Sequence, residues 1–405
     1  MTDKARVTPV QAWDRIQALD AIRGFALLGV LLMNLHFWFR GPVEAYWISA
    51  HPYQGFGDAW TDVAMMVFFN GKSVTLFSFL FGVGLSVQLE RAAARGAAFG
   101  VYAARRLSAL LAFGLLHITL LWSGDILYYY ALIGVPLLLF LRRSARAAFI
   151  WGLAFIVIPL VAGLLLASPP TAADLAHRQA QAAAGAQGAL AAYGHGTWMQ
   201  AAGFRLHQFW GIFQDVKGFA PYTLGLFLLG TAAWKRGVFR DPEAHLKLIR
   251  AVAWLGFAGL AATVALVTWA LRAGRFSDLD LGSDLAMLSY LITPLLAFGY
   301  AAWILLLWRR DVFRRLLGQL APMGRMALTN YLLQSLVLTW LFNGYGFGLY
   351  GRLGPFIGTL GVGLAFYAFQ ILSSQWWLRR FQYGPLEWLW RCLTYGARQP
   401  FRITP

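Results

Sequence analysis

Apolar runs of about 17–25 residues recur along this chain, each long enough to cross ~30 Å of hydrocarbon as an α-helix. Inside a bilayer only helices or a closed barrel satisfy the backbone. Barrel strands alternate apolar and polar residues, and these runs do not alternate. The sequence therefore predicts an all-α, polytopic membrane protein, with residues 1–405 forming a single transmembrane domain. Composition agrees, since 59% hydrophobic and 13% charged residues lie outside the range of soluble domains.

Ten spans fit best, at 21–39, 62–89, 107–123, 125–141, 147–166, 220–235, 251–271, 285–307, 326–342 and 356–377. Asn70-Gly71-Lys72-Ser73 interrupts the second. It reads either as one long bent helix or as an interfacial helix joined to a short span.

The formal charge is +17, from 34 Lys and Arg against 17 Asp and Glu. In a soluble chain that excess would suggest nucleic acid. Topology explains it here. With the N-terminus in the cytoplasm, 25 basic residues fall on inside segments and eight on outside segments, with Arg23 at the boundary. Both termini are then cytoplasmic, membrane lipid is a partner, and nucleic acid is not expected. Residues 1–18 are polar and the first apolar run has anchor length, so no cleaved signal is expected. The single Cys392 excludes an intrachain disulfide.

Two segments outside the spans are the longest. The first, 168–219, is an extracytoplasmic loop. Its Ala/Gln-rich half, Thr171 to Tyr193, reads as a surface helix, a mobile cap or a solvated linker. Its second half carries Trp198, Phe204, Phe209, Trp210 and Phe213, which suits a helix lying in the interface. The second segment, 378–405, is a cytoplasmic tail.

Polar groups inside spans cost free energy and mark candidate sites. Asp20 and Arg23 stand three residues apart, as a structural ion pair or with Arg23 holding an anionic ligand at the cytoplasmic edge. Asn34 and His36 follow on the same helix and either bond a neighbouring helix or face a cavity. The stretch from His51 to Asp62 brings a histidine near Asp58 and Asp62. A carboxylate that fixes the imidazole tautomer leaves the other nitrogen as a general base. A polar loop leading into a helix is the plain alternative. Lys72 falls in the outer half of the second span, with Asp125 of the Trp122-Ser123-Gly124-Asp125 turn as its natural partner and His117 just before that turn. The ninth span adds Thr329, Asn330 and Gln334, and the tenth adds Gln370. These groups suggest a shared cavity.

Nucleophile-elbow, phosphate-loop, CxxC and HExxH signatures are absent from the sequence. Two facing histidines, His36 and His117, would be needed for haem. Lone membrane histidines are more often hydrogen-bonded residues, so neither haem nor metal is expected.

Leu19–Asn34, Gly71–Gly82, Trp122–Leu127, Gly324–Gln334 and Gly384–Arg391 together resemble the YeiB-like family of bacterial membrane proteins, a domain of unknown function. That resemblance implies a multi-pass protein of the bacterial cytoplasmic (inner) membrane. The opening helix is also similar to that of transmembrane acyltransferases, among them heparan-α-glucosaminide N-acetyltransferase and the acyltransferase-three group. Those enzymes move an acyl group from cytoplasmic acyl-CoA to an acceptor, usually a sugar, across the membrane. Where the acyltransferase-three pattern has Arg, ten residues and a catalytic His, this chain has Arg23 and Asn34. The heparan group has Asn there and its catalytic His in the following loop; His51 occupies a comparable place, with Asp62 after it.

The resemblance implies acyl-CoA, such as acetyl-CoA, as donor, with its phosphates near Arg23, Arg105, Arg106 or Arg325. His51, oriented by Asp62 or Asp58, would deprotonate the hydroxyl or amine of a small-molecule, sugar or lipid acceptor. Asn34 or Lys72 would stabilise the oxyanion. His36, His117, Asp125, Asn330 and Gln334 would line the substrate cavity. The alternative is a carrier or lipid-handling protein, gated by a Lys72–Asp125 pair. A homodimer is left open by small-residue spacings such as Gly358 to Gly363.

Overall fold

The computed structural model describes residues 16–42, 55–94, 98–166, 171–216, 219–276 and 284–403. Among the described residues the architecture is all helical, and the one β pairing is an isolated bridge between Phe381 and Arg402.

Helix α1, Gln17–Asn34, continues through a π turn at Leu35–Phe39 and forms the central post. Ala21, Ile22, Ala26, Leu27, Leu31 and Leu35 on it are fully buried. A helix apolar on every face belongs inside a bundle. It packs on α13, Ala321–Arg325, so closely that a Cβ on Gly24 would strike the Leu320 carbonyl and one on Gly324 the Asp20 carbonyl.

The second predicted span divides into α2, Phe56–Ala64 with a π turn at Met65–Phe69, and α3, Lys72–Ala94. Gly71 separates them at φ +73, a left-handed conformation that ends a helix and suits glycine. Together they make one long stretch bent at Gly71, and the part after the bend, α3, is a full 23 residues that begins at Lys72 itself.

Next come α4, Phe99–Leu120; α5, Leu127–Phe140; and α6, Ala145–Leu166. The outer segment holds α7, Ala172–Ala189, and α8, Trp198–Val216. Thr171 and Asp174 form a reciprocal capping box, which makes the Ala/Gln-rich half a true helix. Helix α8 is pinned to the bundle by Arg205, 1% exposed, whose Nη2 donates to the carbonyls of Thr119 and Leu120 at the end of α4.

Helix α9, Ala220–Lys235, is a buried post beside α3. A Cβ on Gly82 would meet the Phe227 carbonyl, and one on Gly230 the Phe79 carbonyl. The remaining helices are α10, Leu246–Arg272; α11, Asp284–Trp308; α12, Asp311–Gly318; α14, Ala327–Phe342; α15, Val362–Leu378; and α16, Pro385–Tyr395.

Seven helical stretches among the described residues are long and apolar enough to cross a membrane. They are Gln17–Phe39, Phe56–Ala94, Phe99–Leu120, Ala145–Leu166, Leu246–Arg272, Leu285–Trp308 and Phe356–Leu378. The other three predicted spans fall on shorter helices, α5 of 14 residues and α9 and α14 of 16 each. The C-terminal segment is tied to the bundle. Gln382 N donates to Phe401 O, and Trp390 Nε1 of α16 donates to Arg106 O.

Candidate functional site

A cavity of about 790 Å³ opens at one end of the bundle. Helices α1, α3, α4, α5, α14 and α16 supply most of its wall. Six arginines line it, namely Arg23, Arg91, Arg106, Arg240, Arg325 and Arg391, against the acids Asp20, Glu90 and Glu387. Deeper, the wall turns apolar with Leu27, Val30, Phe77, Ile126 and Leu127, then Tyr130 and Tyr331. From Arg23 to Val30 is about 10 Å of helix rise. The site is therefore amphiphilic, cationic at one end and apolar at the other.

Four of the six arginines are held in different ways. Arg23 Nη1 donates to Asp20 Oδ1 at 2.8 Å, the pair that the sequence spacing predicts. Arg240 Nη2 donates to Glu90 Oε2 at 2.5 Å. Arg106 stacks on the Trp390 ring at 3.7 Å, and Arg325 Nη2 donates to Gln382 O. The Nε atoms of Arg106 and Arg325 are buried and make no hydrogen bond among the described residues. Burial pulls the Arg325 guanidinium below its ordinary pKa, because solvation of its charge is lost. Such donors suit an anionic ligand.

Glu387 of α16 accepts from Thr329 N at 3.0 Å and from Thr329 Oγ1 at 2.5 Å. Desolvation raises its carboxyl above the ordinary range despite those bonds. Arg105, expected to bind the donor, is exposed beside Gly396 and does not line the cavity. It sits one helix position away from Arg106, which turns it some 100° around α4.

The other candidate residues divide into groups that the sequence did not predict. His117 Nδ1 and Asp125 Oδ2 lie 2.7 Å apart with both side chains fully buried. A carboxylate only accepts, so Nδ1 carries the hydrogen. Asp125 Oδ1 accepts from Tyr128 N at 2.9 Å, closing the α4–α5 turn. Gly114, one turn before His117, permits this: its Cβ would collide with Tyr128 and Asp125. The expected Lys72–Asp125 pair is replaced. Lys72 Nζ instead donates to Met66 O at 2.9 Å, within the turn that joins α2 to α3.

His36 Nε2 lies 3.4 Å from Asp62 Oδ1, and its Nδ1 lies 3.4 Å from Thr359 Oγ1. Asp62 thus faces His36 on the neighbouring helix. His51 lies outside the described residues. Asp58 caps the start of the last long helix, accepting from Phe356 N at 2.8 Å. Neither Asn34 nor His36 lines the cavity, nor do Lys72 and Asp58.

Asn330 and Gln334 are also not cavity residues. Asn330 Nδ2 donates to Ser374 Oγ at 3.0 Å, and Gln334 Nε2 donates to Gln370 Oε1 at 2.9 Å. Gln370 Nε2 returns bonds to Asn330 O and Oδ1. The amides form a ladder joining α14 to α15. No group of three or more metal-ligating side chains occurs among the described residues.

Sequence reasoning missed Arg91, Arg240 and Arg391, which counted only toward topology, and Glu387 and Tyr331. Arg391 and Glu387 lie within the Gly384–Arg391 motif, a signal that was present. Nothing in the local sequence marks Arg205.

Fold and site define a polytopic helical membrane protein built around an amphiphilic cavity. A family described as protein of unknown function (DUF418) matches residues 233–397. The chain is 34% identical to uncharacterized protein YxaH of Bacillus subtilis (strain 168), covering 97% of each chain. It is 31% identical to uncharacterized protein YeiB of Escherichia coli (strain K12), over 96% of this chain and 98% of that one. An uncharacterized 39.9 kDa protein of the amylase 3' region of Bacillus acidopullulyticus is 28% identical over 98% of both. The chain belongs to this YeiB-like family. No solved structure matches it.

Proposed function

We propose that this protein is a transmembrane acyltransferase that takes acyl-CoA from the cytoplasm. The supporting observation is a cavity of about 790 Å³ that joins six arginines to an apolar interior. That volume is in the range of pockets that enclose small-molecule ligands. The anionic nucleotide end of acyl-CoA matches the arginines, and the pantetheine and acyl thioester match the deeper wall. Positive-inside topology, with ten crossings and both termini inside, turns the arginine end toward the cytoplasm of the bacterial inner membrane. The acceptor is a hydroxyl or amine, on a sugar or lipid, that reaches the thioester from the opposite side. Its oxygen or nitrogen attacks the carbonyl, the C–S bond breaks, and the proton moves to the departing thiolate.

Calorimetry of the purified protein with acetyl-CoA and with a longer acyl-CoA tests this. Micromolar binding that weakens about tenfold in Arg23→Ala or Arg325→Ala supports the reading. No binding of either ligand defeats it.

A carrier for amphipathic anions is the second reading. It rests on the cavity opening at one end, with Tyr331 and His117 packed at its far end. Uptake of acyl-CoA into reconstituted vesicles without thiol release would favour it.

A further inference from the structure

The deep end of the cavity stops at Tyr331. The Tyr331 ring packs edge-on against His117, with centroids 5.2 Å apart. His117 also packs edge-on against Trp122, with centroids 6.1 Å apart. Trp122 lines a second, smaller cavity of about 20 Å³ near the opposite end, together with Trp38, Arg205, Gln208 and Asn343. That space holds about one water molecule. His117 is therefore one aromatic ring from each of the two cavities.

The imidazole is set for proton transfer. Asp125 holds Nδ1–H at 2.7 Å, which leaves Nε2 with its lone pair. His117 Nε2 is buried and makes no hydrogen bond among the described residues. Leaving such an atom unpaired costs about 1–3 kcal/mol. A structural histidine in a helix bundle would be expected to use both nitrogens. Asp125 is itself fixed by Tyr128 N, so the pair is rigid.

Resting on the acyltransferase reading, we propose that His117, oriented by Asp125, is the general base of the transfer, the role that the resemblance gives to His51. The acceptor, arriving from the Trp122 side, loses its O–H or N–H proton to His117 Nε2 as its heteroatom bonds to the thioester carbonyl. The C–S bond then breaks and the imidazolium returns the proton to the CoA sulfur, releasing a thiol. Displacement of the Tyr331 ring opens His117 to the thioester. Asp125 acts through His117 and is a positioning residue.

The test uses diethyl pyrocarbonate, which acylates a neutral imidazole nitrogen, on the full protein in detergent. Modification of each of the seven histidines is read by peptide mass spectrometry, with and without acetyl-CoA. His117 is expected to be modified in the free protein, faster in Tyr331→Ala, and protected by acetyl-CoA. Asp125→Asn should slow its modification at least tenfold, because an amide donating to Nδ1 forces the hydrogen onto Nε2. Release of CoA thiol from acetyl-CoA, with water or glycerol as acceptor, should fall about 10²–10⁴-fold in His117→Gln while acetyl-CoA affinity stays within twofold. A wild-type protein that binds acetyl-CoA but leaves His117 unmodified or unprotected overturns the proposal alone. So does protection that appears at His51 instead. Absence of acetyl-CoA binding overturns the acyltransferase reading and this inference with it.

Discussion

Glu387 Oε2 accepts the hydroxyl hydrogen of Thr329 at 2.5 Å, across a gap of 58 residues. This bond and the backbone bond from Thr329 N fasten α16 to the start of α14, at the edge of the cavity. Desolvation raises the Glu387 carboxyl above its unfolded value. For a raised acid, stability is full below the unfolded pKa and is lost as pH rises through the folded one. Thermal unfolding in detergent should therefore show a wild-type midpoint that declines from acid toward neutral pH. Glu387→Gln should remove that decline. An unchanged pH slope in the variant would assign the effect elsewhere.

Arg325 and Arg105 are opposites in the structure, one lining the cavity and one exposed outside it. Arg325→Ala should weaken acetyl-CoA binding by about 1.4 kcal/mol, a factor of ten, with the loss shrinking as salt is added. Arg105→Ala should leave binding within twofold. Calorimetry at two salt concentrations decides between them, and equal losses would move the binding site off the cavity.

Gln370 bonds both Asn330 and Gln334 at the α14–α15 interface. Gln370→Leu leaves buried amide groups unpaired and should cost about 1–3 kcal/mol of stability. Acetyl-CoA affinity of the folded fraction should not change, since none of these amides lines the cavity. Thermal midpoint and binding measured on one preparation check both halves.

Gly230 on α9 faces the Phe79 carbonyl on α3, so that the two backbones touch. Gly230→Val should prise the helices apart and abolish accumulation of folded protein, whereas Gly84→Ala, where a Cβ meets nothing, should be tolerated. Yield of monodisperse protein by size-exclusion chromatography measures this.

Lys72 is 2% exposed, and among the described residues its Nζ pairs with no carboxylate. Lys72→Met should raise stability by about 1 kcal/mol, or ~2–3 °C in thermal midpoint, because a buried ammonium is replaced by an apolar chain of similar length. A lower midpoint would mean that the bond to Met66 O holds the α2–α3 turn together.

Much of the helix placement was legible in the sequence, because burial in lipid demands apolar length and length is a local property. Arg23 with Asp20 was legible for the same reason, since residues three apart on a helix meet whatever surrounds them. The partners of Lys72 and Asp125 were not. Each choice turned on a contact between helices whose relative rotation a single span does not encode. Gly71 shows the limit clearly: the interruption was visible, but the left-handed turn that makes Lys72 the first residue of a full helix was not.

By itself, the sequence determined that this chain is a helical membrane protein, where its apolar segments lie, and that it carries a large basic excess. These follow from the solvent in which each segment must rest. Only the tertiary structure decided that six of those arginines share one cavity, that His117 takes Asp125, and that the amides of α14 and α15 bind each other. Those outcomes depend on backbone approach at glycines such as Gly24, Gly82 and Gly114, and on which face each helix turns inward. Packing between distant segments sets both, and no local run of residues carries that information.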